Sequence, residues 1–229
     1  MEYELENATK LDDARKHEID VQYDILLSRI TSIFGESTKR TKALLKFYKA
    51  YEEPVKFAPA SGKLNYHNAF IGGYLDHILR VDDLAHEQAD LMEKHGGVTG
   101  CTREELSFAA LHHDLGKLGM PGVPYYQIQD DDWWQKKKLE VFTHNDNIQY
   151  MKVSDITLYL LQEYGITYTQ NEMLGMKLAD GLYEDSNEAY LKSRSGNFPM
   201  RTNIGLIIHW ADHMASRIEH DRIRLKYTT

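Results

Sequence analysis

The spacing of apolar residues along the chain limits its fold more than any other feature. In long stretches, apolar residues recur every three or four positions, which is typical of the buried face of an α-helix. Few segments alternate between apolar and polar residues, as a half-buried β-strand would. Helices are expected over residues 9–33, 38–51, 67–94, 102–113, 154–164, 170–180 and 202–223. The pattern therefore predicts an all-α fold.

Breaks in this pattern indicate how the chain is organised. Capping boxes that begin at Thr102 and Thr169 mark the starts of two helices. Residues 118–135 contain two prolines and three consecutive aspartates, so a loop is expected there, and a second loop is expected over the polar stretch 183–200. The chain is thus predicted to consist of an N-terminal helical appendage and a main domain, at residues 1–55 and 56–229.

The composition limits the classes of function. Hydrophobic residues make up 42% of the chain, which is enough for a core, and charged residues make up 27%. A net charge of −8 argues against a protein dedicated to duplex DNA, because such proteins need a basic surface. The single cysteine, Cys101, excludes an internal disulfide, and no signal peptide or membrane-spanning stretch is visible. We expect a soluble cytoplasmic protein that does not bind a membrane.

Histidine and aspartate residues stand at positions suited to binding a metal ion. His113 and Asp114, at the end of an apolar helix, can place a nitrogen and an oxygen on one ion. His77 lies on the apolar side of the preceding helix, and Asp212 lies within the last one, where an unpaired carboxylate would be costly. The histidines could equally be core residues. Asp212 could instead pair with a basic neighbour on its own helix, namely Arg217 or His209.

Three segments follow one another in a characteristic order: FAPASGKLNYHNAFIGGYLDHILRV, ALHHDLGK and LIIHWADHMASRIE. They resemble the HD-domain phosphohydrolases, a superfamily named for its His-Asp pair, whose ligands occur in the order H…HD…D. The first segment resembles in particular the subgroup that contains bacterial 3′–5′ exoribonucleases and many phage HD proteins. The resemblance implies an HD-domain helical bundle over residues 56–225. It also implies a cation bound by His77, His113, Asp114 and Asp212.

The resemblance further implies hydrolysis of a nucleotide phosphate by a water that one divalent ion activates, with Mn, Co, Fe, Ni, Zn or Mg as candidates. Asp114 could orient this water as well as bind the ion. The candidates for contacting the phosphate are Lys117, Arg80 and His67, and His67 could also donate a proton to the leaving oxygen. Lys117 and Arg80 could instead be solvated charges.

Trp133 and Trp134 are candidate substrate contacts, because aromatic faces can stack on a nucleotide base. They could equally hold their loop against the core. The predicted substrate is therefore small and phosphorylated, with a nucleotide as the favoured class. A homo-oligomer is also compatible with the sequence.

The chain departs from relatives of that subgroup that hold a second metal through two further histidines. Val153 and Ala179 stand where those histidines are expected, and neither side chain can bind a metal. His144 is a candidate substitute. A single metal favours a nucleotidase or nucleoside triphosphohydrolase. Two alternatives stay open: a phosphodiesterase or 3′–5′ exonuclease acting on short oligonucleotides or cyclic nucleotides, and a non-catalytic nucleotide-binding protein.

Overall fold

The computed structural model of the chain describes residues 7–192 and 200–226. Helix makes up 64% of the structure and strand 5%, so the prediction of a predominantly helical protein is confirmed. After a few helical residues at 7–9, the N-terminal part contains the helices α1 (Asp13–Phe34), α2 (Lys39–Ala50) and α3 (Glu52–Phe57). The side chains of Asp12 and Thr38 accept hydrogen bonds from backbone N–H groups of the first turns of α1 and α2, which explains where these helices begin.

The centre of the protein is built from three helices that pack on one another, α4 (Gly73–Lys94), α5 (Arg103–His112) and α10 (Ile204–Lys226). The prediction that α4 begins at residue 67 is wrong, because residues 67–72 form a turn. Gly72, the residue before α4, has φ +84°. This left-handed conformation favours glycine, and a right-handed helix cannot extend through it. The capping box at Thr102 is present, so the predicted start of α5 is confirmed.

The segment predicted as a loop over residues 118–135 is partly structured. After a 3₁₀ turn (Leu115–Leu118), strand β1 (Tyr126–Ile128) pairs antiparallel with β2 (Phe142–His144), and helix α6 (Asp132–Lys138) lies between them. The loop prediction is therefore wrong for β1 and the start of α6. The side chain of Asp131 accepts from the backbone N–H groups of Trp133 and Trp134, so one of the aspartates that suggested a loop caps a helix.

The remaining elements connect the hairpin to α10. Helix α7 (Val153–Glu163) is followed by α8 (Gln170–Lys177), which begins with the predicted capping box at Thr169 and ends three residues before the predicted position. Short helical turns follow, at Gly181–Tyr183, Asp185–Asn187 and Glu188–Leu191, the last of which is α9. The loop predicted over 183–200 is therefore wrong for its first part, and residues 193–199 lie outside the described residues.

One hydrophobic core contains side chains from both parts of the chain. Leu26 and Ile30 of α1 are fully buried in the same cluster as Leu75, Ile78 and the apolar residues of α5 and α10. The N-terminal helices thus share their core with residues 56–226. Within the described residues, every helix is too short or too polar to pass through a lipid bilayer.

Candidate metal centre

Three helices bring the predicted metal ligands together. His77 lies in α4 and is fully buried, and Asp212 lies in α10, which packs along α4. His113 and Asp114 follow the last residue of α5. The 3₁₀ turn after them is fixed against α7, because Gly116 donates its backbone N–H to Thr157 Oγ1 at 2.9 Å. The packing of the helices, rather than local sequence, therefore places these four side chains in one site.

Both carboxylates lie within 4 Å of the Nε2 atoms of both histidines. Asp212 Oδ1 is 3.1 Å from His77 Nε2 and 3.8 Å from His113 Nε2. Asp114 Oδ2 is 3.7 Å from His77 Nε2 and 3.6 Å from His113 Nε2. Among the described residues, His77, His113 and Asp114 form one of two groups whose ligand atoms could hold a metal ion.

Both histidines turn Nε2 towards this site. His113 Nδ1 donates to the carbonyl oxygen of Ala110 at 2.8 Å, so its Nε2 carries a lone pair when the ring is neutral. That Nε2 is buried and has no hydrogen-bond partner among the described residues. His77 Nδ1 lies 3.0 Å from a carboxylate oxygen of Glu219, and His77 Nε2 faces Asp212 Oδ1 at 3.1 Å. Two buried imidazole nitrogens beside two carboxylates form a donor set that suits a borderline divalent cation.

Glu219 is a site residue that sequence reasoning missed. It is fully buried on α10, and its two oxygens lie near His77 Nδ1 and Arg80 Nε, each at 3.0 Å. A carboxylate that holds the far nitrogen of a ligand histidine orients the ring and raises its basicity. Glu219 stands seven residues after Asp212, which places both on one helical face, so this spacing could have revealed it.

Arg80, a predicted substrate contact, has two protein partners. Besides Glu219, its guanidinium donates to Asp76 Oδ2 at 2.6 Å. These bonds neutralise part of the negative charge behind the site. Its contact with a phosphate stays a prediction.

Lys117 lies against the predicted ligand Asp114. Its Nζ donates to Asp114 Oδ2 at 2.5 Å and to the carbonyl oxygen of Ala60 at 2.7 Å. Burial lowers the pKa of Lys117, but the negative charge of Asp114 outweighs burial and raises the pKa above its usual value. Lys117 is therefore cationic at physiological pH and supplies positive charge at the edge of the site.

His67 lies beside His77, one of the predicted metal ligands. The two ring centroids are 4.8 Å apart, and His67 Nε2 is buried without a hydrogen-bond partner among the described residues. Burial, together with the positive charges of His77 and Lys117, lowers the pKa of His67 to about 3. The imidazole is therefore neutral near pH 7. His67, His77 and Glu219 form the second group of side chains that could hold a metal ion.

Metal binding at His77 should depend on pH. Burial lowers the pKa of His77, but the negative charges of Glu219 and Asp212 outweigh burial and raise the pKa to about 10. The ring is then protonated at neutral pH without a cation, whereas a metal ligand must be neutral. We expect affinity for Mn²⁺ to rise about tenfold per pH unit from about pH 6 to pH 9, because binding releases one proton.

This prediction can be measured by titration calorimetry over that pH range, in buffers of different ionisation enthalpy that report the released proton. The variant His95→Gln is the matched control, because His95 is exposed after the end of α4, and it should keep the slope. An affinity that stays constant with pH would contradict the assignment of His77 as a ligand.

A concavity of about 350 Å³ adjoins the centre. His67 and Lys117 form its inner end, and Tyr126 and His144 of the hairpin line another side. His144, the candidate ligand for a second metal, is exposed and packs its ring against Tyr125 and Tyr126, with centroids 4.9 and 5.6 Å apart. The structure thus places His144 in the wall of this concavity.

Trp133 and Trp134 do not line this concavity. They lie on α6 with 54% and 42% of their surface exposed, and Lys138 Nζ lies 5.6 Å from the Trp133 ring centroid. About half of each residue is covered, so the alternative that they hold this segment against the protein stays open. Their contact with a substrate stays a prediction.

Asp180 is a second residue that was not predicted for the site. Desolvation by the surrounding protein raises its pKa, as do the negative charges of Asp114 and Asp212. The turn that carries it is attached to α10, because His209 Nδ1 donates to the carbonyl oxygen of Ala179 at 2.8 Å. Asp180 therefore adds an accessible carboxylate within electrostatic reach of the predicted ligands.

The fold and this cluster together define a predominantly helical protein whose buried His, Asp and Glu side chains could hold a metal ion. In comparisons with known proteins, the chain matches no protein family, no curated protein and no solved structure.

Proposed function

We propose that this chain is a metal-dependent phosphohydrolase that hydrolyses the phosphate of a nucleotide, as its resemblance to HD-domain proteins implies. The observation that supports this proposal best is that the buried Nε2 atoms of His77 and His113 both lie within 4 Å of the carboxylates of Asp114 and Asp212. Buried nitrogen and carboxylate groups gathered in this way are typical of a site that a cation would stabilise.

The proposed ligands are His77, His113, Asp114 and Asp212. Their mixture of nitrogen and oxygen donors suits Mn, Co, Fe, Ni or Zn and tolerates Mg. A divalent ion held by these residues would supply a water of lowered pKa and would neutralise charge on a phosphate oxygen. Glu219 fixes the orientation of the His77 ring through Nδ1 and so directs Nε2 towards the site.

Lys117 and His67 would hold the phosphate. Lys117 is cationic and lies at the junction between Asp114 and the concavity, so it can attract a phosphate oxygen. His67 is neutral near pH 7, so its unpartnered Nε2 can donate a hydrogen bond to phosphate when that atom carries the ring proton. As a neutral imidazole, His67 can offer phosphate this hydrogen bond, but near pH 7 it carries no second proton to give to the leaving oxygen.

The proposal is tested with protein that is first stripped by a chelator and then reloaded with Mn²⁺ or Co²⁺, with bound metal measured by elemental analysis. The reloaded protein is incubated with nucleoside monophosphates and triphosphates, and released phosphate is measured. We expect release only from the reloaded protein. Metal bound at the site without phosphate release from any nucleotide would refute the proposal.

A further inference from the structure

The concavity beside the candidate metal centre has its own structure. One wall is the segment 60–67, and the other is the strand β2 with the residues just before it. Backbone hydrogen bonds join the two walls, since Val141 N and Phe142 N both donate to Gly62 O at 2.8 and 3.0 Å. Leu64 N donates to Leu139 O at 2.8 Å. The walls are therefore held at a set spacing, so the concavity is preformed.

The side chains along the concavity combine aromatic surface with a charged pair. Tyr66 is 53% exposed at its edge, while Tyr126 is largely buried and contributes another aromatic ring. Lys63 Nζ lies 3.4 Å from a carboxylate oxygen of Glu140. Aromatic rings stack on planar heterocycles, and a lysine with a glutamate offers donors and an acceptor to polar ring edges or sugar hydroxyls. This combination suits a nucleoside better than a simple sugar phosphate.

The orientation of such a ligand follows from the two ends of the concavity. Its inner end is formed by Lys117, which touches Asp114, and by His67, which stacks near His77. A phosphate belongs at that end because the ammonium group of Lys117 lies there, bonded to Asp114 Oδ2 and to the carbonyl oxygen of Ala60. The base and sugar are then left to the part lined by Tyr66, Lys63 and Glu140.

We propose that this concavity binds the nucleoside part of a single nucleotide, whose phosphate lies between His67 and Lys117 at the metal centre. The proposal rests on the phosphohydrolase function in so far as it places the phosphate at that centre. A volume of about 350 Å³ lies near the lower end for small-molecule pockets, so the concavity accommodates one nucleoside, and any further nucleotides of a chain would extend beyond it. The substrate class is thus a mononucleotide, with Tyr66 as a stacking residue.

The test measures binding with ligands that resist hydrolysis, so that it does not depend on turnover. Nucleoside phosphonates of the four bases are compared with methylphosphonate, which carries only the phosphate-like group, on Mn²⁺-loaded protein. We expect the best nucleoside phosphonate to bind at least about tenfold more tightly. We expect Tyr66→Ala to weaken its binding by about 5- to 150-fold, the range of one stacked base, and to leave methylphosphonate unaffected.

A matched control is Tyr159→Ala, since Tyr159 is 44% exposed on α7 and does not line the concavity. This variant should bind both ligands as the unchanged protein does. Relaxation of the ligand signals by Mn²⁺ gives the orientation, and the ³¹P signal should broaden more than the base protons. A dinucleotide phosphorothioate should bind no more tightly than the mononucleotide.

Several results would overturn the inference. These are equal affinity for nucleoside phosphonates and methylphosphonate, a Tyr66→Ala variant that binds nucleoside phosphonates normally, and base protons that relax faster than phosphorus. A dinucleotide that binds more than about tenfold tighter than the mononucleotide would overturn it as well. If the chain binds as expected but releases no phosphate, the subsite stands and the enzymatic proposal fails. If it hydrolyses nucleotides but Tyr66→Ala does not change binding, the enzymatic proposal stands and the nucleoside subsite fails.

Discussion

Nucleotide hydrolysis by the variant Asp114→Asn is expected to fall at least about a thousandfold, which corresponds to about 4 kcal/mol of activation free energy. Asp114 would lose the negative charge that attracts the cation, and Lys117 would lose the carboxylate that holds it at 2.5 Å. The substitution keeps the shape of the side chain, so the helices around the site should remain folded. The rate of phosphate release at saturating Mn²⁺ is the measurement.

Asp24→Asn provides the control, because Asp24 is exposed on α1 and away from the candidate centre. That variant should hydrolyse at the unchanged rate. Circular dichroism of both variants establishes that the helical content is retained. If folded Asp114→Asn keeps more than about a tenth of the rate, Asp114 does not have the role proposed for it.

Arg40→Ala is expected to destabilise the protein by about 3–5 kcal/mol. Arg40 of α2 lies 2.7 Å from Glu172 of α8, a carboxylate with no exposed surface. Removing the arginine leaves that charge buried without its partner. The guanidinium also lies 3.9 Å from the ring centroid of Phe108, so a cation–π contact is lost too. The free energy of unfolding in urea measures the effect.

Lys42→Ala is the comparison for this prediction, because Lys42 is an exposed cation on the same helix. It should change the free energy of unfolding by less than about 0.5 kcal/mol. A loss below about 1 kcal/mol for Arg40→Ala would show that the ion pair with Glu172 does not attach α2 to the rest of the core.

The longest helices were predictable because each needs only information from its own stretch of chain. Apolar residues at helical spacing located α1, α4 and α10, and the capping boxes at Thr102 and Thr169 gave the starts of α5 and α8. The start of α4 was missed because His67 to Gly72 continue an apolar pattern. The left-handed backbone of Gly72 prevents α4 from beginning before Gly73.

The hairpin after the His-Asp doublet was not predictable from spacing. Its strands are three residues long, which is too short for a period of two to be recognised. They are stabilised by a distant partner, since Gly62 accepts the backbone hydrogen bonds of Val141 and Phe142. Because this partner lies far back in the chain, the wall of the concavity could be found only in the folded structure.

The sequence alone determined that the protein is predominantly helical, and it marked His77, His113, Asp114 and Asp212 as candidate metal ligands. Only the tertiary structure brought both carboxylates within 4 Å of both imidazole Nε2 atoms. It also separated the two adjacent histidines, since the ring of His112 stacks on Phe108 in the core while His113 faces the centre.

Only the tertiary structure revealed Glu219, which contacts His77 although the two residues are 142 positions apart in the chain. The physical reason is that helix formation depends on neighbours in sequence, whereas a site depends on how helix faces pack against each other. Apolar spacing shows which face of a helix is buried, but not which residue of another helix it will meet.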